Sequence, residues 1–218
     1  MSLEGLLKSI GIIKRTDEEL LELGAKRYVR ANFSTTYHMF EKNILKTAKY
    51  FNKLSNREEK LSELADSLFI HSYEKVQRYA AVEADRIVLK RLTADRKEPK
   101  YIAGEDLWRQ TGVVKEYNSI YMLYTESFLN LLVTIYGYIG GEREKESLIR
   151  VAEQAEYIAT QVGGEWLETF TQYAADLFRR IGCMDEVKRI MDSARGEFHE
   201  FLQYRYAEDM PKAQNFSS

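Results

Sequence analysis

A chain of 218 residues with 44% hydrophobic content can bury a core without covalent staples, and its one cysteine, Cys183, excludes an internal disulfide. Its 32 basic and 34 acidic residues leave a formal charge of −2, which excludes wholesale electrostatic capture of nucleic acid or anionic membrane but not a local patch. The first residues lack the charged stretch, apolar run and cleavage site of a signal peptide, so the sequence predicts a cytoplasmic protein.

There are only two prolines, Pro99 and Pro211. Proline in a helix interior costs about 3 kcal/mol, so the long proline-free stretches predict an all-α protein. The pattern fits an antiparallel long-helix bundle or helical-hairpin array of about six or seven helices.

Taken in order, Leu3, Leu6, Leu7 and Ile10 make a short amphipathic turn that Gly11 ends. Thr16-x-x-Glu19 has the form of a capping box, and apolar residues at 33, 37, 40, 44, 48 and 51 predict one helix over 17–54. Ser55-x-x-Glu58 repeats the signature and opens a second long helix that ends near Arg91 to Thr93. Its buried face is Leu61, Leu64, Ala65, Leu68, Phe69, Tyr73, Val76, Ala80, Ala84 and Ile87.

A polar linker over 94–104 and a short helix over 105–110 come next. Tyr117, Tyr121, Tyr124, Phe128, Leu131, Ile135 and Tyr138 then predict a central core helix, because Glu126 and the polar Asn118, Ser119, Asn130 and Thr134 argue against a membrane span. Glycines at 140–141, 163–164 and 182 cut the remainder into helices over 142–162, 165–181 and 185–206. The expected organisation is a single domain over 1–208, with halves 16–93 and 105–206 and a flexible tail over 209–218.

Ala175, Phe178, Gly182, Val187, Met191 and Ala194 stand at the spacings at which a tetratricopeptide repeat places its small and large residues. The segment 139–194 resembles such helical hairpins. An offset of 42 residues also maps Leu148, Ile149 and Ala152 onto Ile190, Met191 and Ala194, while Lys145 and His199 stand where the repeat has a small residue and a proline. The resemblance implies peptide or protein binding on a concave helical surface.

Candidate chemistry is sparse. His38 with Glu41 and His71 with Glu74 are i, i+3 pairs of the sort that hold metals. The Glu-x-x-His pattern of carboxylate-bridged bundles is missing, so no metal or other cofactor is expected. Cys183 has Asp185 and Glu186 beside it, the wrong field for a thiolate. Arg86, Lys90, Arg91, Arg96, Lys97 and Lys100 form a basic run near Tyr101 and Trp108, but Asp85, Asp95, Glu98, Glu105 and Asp106 interrupt it, so nucleic acid is not an expected partner.

Glu126 lies on the stripe Met122, Leu129, Val133 and Tyr136, and Glu83 among Val76, Tyr79, Ala80 and Ile87, so both carboxylates are expected in apolar surroundings. The leading expectation is a non-enzymatic helical module that binds a protein or peptide. The alternative is a helical-bundle enzyme or small-ligand or metal binder with an internal pocket at Glu126, Glu83, Tyr79 and Tyr124. Phe198, Phe201, Leu202, Tyr204 and Tyr206, with Leu3, Leu6 and Ile10, also predict self-association into a homo-oligomer.

Overall fold

The computed structural model describes residues 14–94 and 112–206. The turn at Leu3–Ile10, the linker beyond Ala94, the short helix over 105–110 and the tail over 209–218 lie outside the described residues. Among the described residues there are nine helices and no strand, so the chain is all-α but more finely divided than the apolar periodicity predicts. The helices are α1 (Asp17–Asn32), α2 (Tyr37–Phe51), α3 (Arg57–Ile70), α4 (Ser72–Ala94), α5 (Val114–Ile139), α6 (Gly141–Gln161), α7 (Glu165–Arg180), α8 (Met184–Ser193) and α9 (Gly196–Tyr206). No described helix is long and apolar enough to cross a membrane.

Three breaks account for the extra helices. The expected helix over 17–54 stops at Phe33 and restarts at Tyr37. Ser34 donates its hydroxyl to the Arg30 carbonyl at 2.9 Å, and Thr36 accepts from the Met39 amide at 3.3 Å as the N-cap of α2. Short hydroxyl side chains compete in this way for backbone groups that a continuous helix would use. The second break is at His71, which closes α3 at φ −101° and ψ 12° before α4 begins. The third is at Ala194, which is extended, followed by Gly196 at φ 59°.

The Thr16–Glu19 capping box forms as the sequence predicts, with both reciprocal bonds present. Its counterpart at Ser55 does not. There the N-cap is Asn56, and Ser55 instead donates its amide to Asp17 Oδ2 at 3.1 Å and its hydroxyl to the same oxygen. A charged acceptor makes a stronger bond than a neighbouring amide could offer that hydroxyl.

The chain divides into two compact units at Ile139–Gly140. In the first, α5 packs against α2, α3 and α4, and α1 lies along α2. The boundary between the units falls after α5. Phe40, Ile44, Leu61, Leu68, Phe128, Leu132 and Ile135 are fully buried at its centre, each contributing about 1.5–3 kcal/mol of transfer free energy. In the second unit α6 pairs with α7, and the Arg180 to Glu144 bridge at 2.7 Å joins the end of α7 to the start of α6. Ala175, Phe178, Val187 and Met191 are buried there, and Gly182 makes the turn at φ 79°.

Candidate functional site: a basic groove on the first helical hairpin

The first ten residues after Glu22, all in α1, contain no acid, and its last turns carry Lys26, Arg27 and Arg30. On α2, Met39, Lys42, Asn43 and Lys46 recur at i, i+3, i+4 and i+7 and so share one helix face. On one straight helix Arg27 and Lys42 would stand about 22 Å apart along the axis. The Ser34–Thr36 turn instead folds the two basic stripes back onto each other.

The result is a groove of about 490 Å³ lined by Arg27, Val29, Arg30, Phe33, Ser34, Met39, Lys42, Asn43 and Lys46. Its volume is in the range of ordinary ligand sites. Four cations line it and, among the described residues, no carboxylate does. None of the four forms an ion pair or side-chain hydrogen bond among the described residues, in contrast to Lys26, which is bound to Glu22 at 2.5 Å. Lys46 is held below the usual lysine range, first by the Arg27 charge, then by desolvation and by Lys42, Arg30 and Lys49. Every charge acting on it is positive. The apolar lining is exposed as well: Phe33 at 81%, Val29 at 52% and Met39 at 49%.

Behind the groove sits an aromatic cluster. Tyr37 is buried, stacked on Tyr124 at 4.6 Å between centroids and edge-on to Tyr79 at 6.0 Å. Phe40 lies 5.5 Å from Tyr79 and 6.4 Å from Phe128. Tyr79 donates to the Ser34 carbonyl at 3.3 Å and so ties α4 to the turn that shapes the groove. Lys75, on α4, reaches Asn32 Oδ1 at 2.7 Å with its ammonium 5.1 Å over the Phe40 ring, and burial holds it below the usual lysine range. Burial also pushes the hydroxyls of Tyr37, Tyr79 and Tyr124 up, with Glu41 adding to the effect at Tyr37 and Glu83 at Tyr124.

Of the residues singled out from sequence, the structure brings Glu83, Tyr79 and Tyr124 into one neighbourhood. Glu83 is part-exposed and paired with Arg86 at 2.9 Å. Glu126 is half-buried, and as it stands about 200° round α5 from Tyr124 it lies on another face. His38 and Glu41 do share α2, and burial raises the Glu41 carboxyl above its usual range while His38 opposes this. His71 and Glu74 do not share a helix, because α3 ends before His71 and Glu74 lies in the first turn of α4. No group of three or more metal-ligating side chains is assembled among the described residues.

The groove was missed because its two halves sit in different parts of the chain. The signal that was there is local: Arg27-x-x-Arg30 and Lys42-x-x-x-Lys46-x-x-Lys49 are uncompensated at helical spacing. Comparison with known protein families, curated proteins and solved structures finds no match.

Proposed function

We propose that the protein is a non-enzymatic helical interaction module, and that the α1–α2 groove takes an acidic segment of a protein partner. The observation that carries this reading is the groove itself, with Arg27, Arg30, Lys42 and Lys46 unpaired around exposed Phe33, Val29 and Met39. A bound anion would relieve the mutual repulsion of the four cations, and an apolar side chain of the same segment would cover surface now left to water. The likeness of α7 and α8 to a tetratricopeptide-type hairpin adds support for a binding role over catalysis.

Fluorescence anisotropy with labelled acidic peptides containing one leucine or phenylalanine tests the reading. Binding should weaken with salt and fall about tenfold or more in Lys42→Glu/Lys46→Glu, while a neutral peptide of the same length stays unbound. Equal binding by the variant would move the site elsewhere. No binding by any acidic peptide would remove the reading.

A further inference from the structure

We propose that the segment held in this groove is phosphorylated, a phosphoserine or phosphothreonine adjoining an apolar residue. The inference rests on the proposed interaction role and adds the chemistry of the bound group. Two guanidinium groups from α1 and two ammonium groups from α2 line a space of about 490 Å³. Carboxylates along a peptide are single charges spread over several residues. A phosphoryl group places about −1.5 to −2 of charge and three acceptor oxygens at one point. That matches a site in which Arg27 and Lys46 lie near enough for one charge to perturb the other. Arginine forks also suit phosphate oxygens, which accept two parallel bonds from one guanidinium.

The polar side chains in the groove do not compete for this role. Ser34 gives its one hydroxyl proton to the Arg30 carbonyl at 2.9 Å and Asn43 one of its two amide protons to the Met39 carbonyl at 2.9 Å, so the charged donors left for a ligand are the four cations. Beside them Phe33, Val29 and Met39 offer an apolar shelf. Two of these three side chains are aliphatic, which favours an aliphatic or aromatic peptide residue over a stacked base. The chain as a whole carries −2, so its net charge does not favour extended polyanions or flat anionic membranes over one compact anion.

The test uses the full chain and three labelled peptide libraries with degenerate flanks and leucine after the central residue. The central residue is serine, glutamate or phosphoserine. Phosphoserine peptides should bind about tenfold tighter than glutamate peptides and lose most of that margin in Arg27→Gln/Lys46→Gln, with an unchanged thermal melt. Equal affinity for glutamate and phosphoserine would overturn this inference and leave the acidic-segment reading standing; failure of all three libraries would overturn both. Tighter binding of oligothymidylate, or of phosphatidylserine vesicles, than of any phosphopeptide would overturn both in favour of nucleic acid or membrane. Loss of the phosphoserine margin in Arg143→Gln/Arg150→Gln, on the second unit, with none in the groove variant, would overturn the placement.

Discussion

Gly24 of α1 lies so close to Phe51 of α2 that a Cβ at position 24 would stand 2.3 Å from the ring's Cε1. The buried Thr47 reinforces the approach, its hydroxyl 3.0 Å from the Asn43 carbonyl and 3.3 Å from that of Gly24. This contact brings the two basic stripes within reach of one ligand. Alanine is favoured over glycine in a helix by about 1 kcal/mol, yet forcing an extra methyl into a packed contact costs about 1–3 kcal/mol. Gly24→Ala should therefore lower stability by about 1 kcal/mol in urea melts. Phe51→Leu should recover most of it, and a stabilised Gly24→Ala would show that the ring moves freely.

Tyr37 is buried and its hydroxyl has no hydrogen-bond partner among the described residues. An unpaired buried hydroxyl carries a desolvation penalty that phenylalanine would not. Tyr37→Phe is expected to leave the stacking on Tyr124 intact and to raise stability by about 0.5–1 kcal/mol. Chemical denaturation reads this directly, and a clear loss would mean that the hydroxyl is satisfied by water.

Tyr206 makes the opposite case. It is buried at the end of α9 and donates to Asp176 Oδ1 of α7 at 2.8 Å, beside a two-bond Arg205–Asp176 pair. Arg179 and Arg205 lie 5.8 and 5.9 Å from its ring centre. Burial and then the Asp176 carboxylate push its hydroxyl up. Tyr206→Phe should cost about 1–2 kcal/mol and speed amide exchange in α9 first. Unchanged exchange there would detach α9 from this anchor.

Asp17 predicts a pH dependence. Its carboxylate is held below the usual range, chiefly by the Ser55 hydroxyl and then by the Ser55 amide. Because the folded-state value is the lower one, the stabilisation is fully present above the unfolded value of about 4 and disappears as pH falls through the lowered folded value. Asp17→Asn should flatten the loss of stability below about pH 4. Parallel wild-type and mutant curves would show that the contact does nothing for the fold.

Much of the local structure could be read directly from the chain. The Thr16 capping box, the glycine stops at 140, 164 and 182 and the helical period of α5, α6 and α7 depend on residues within a few positions of one another, and such interactions hold whatever the rest of the molecule does. The breaks at 33–36 and 194–196 were not legible, because apolar periodicity runs on through them and only competing hydroxyl bonds or an αL glycine interrupts it; the break at 71 has no such local signal. Ser55 looked like a cap until Asp17, 38 residues earlier, took both its donors. The candidate site depended most on tertiary structure. Each basic stripe is visible in the sequence, but a groove exists only once the α1–α2 turn and the Gly24–Phe51 contact superpose them, and that convergence is a property of the packed hairpin and of neither helix alone.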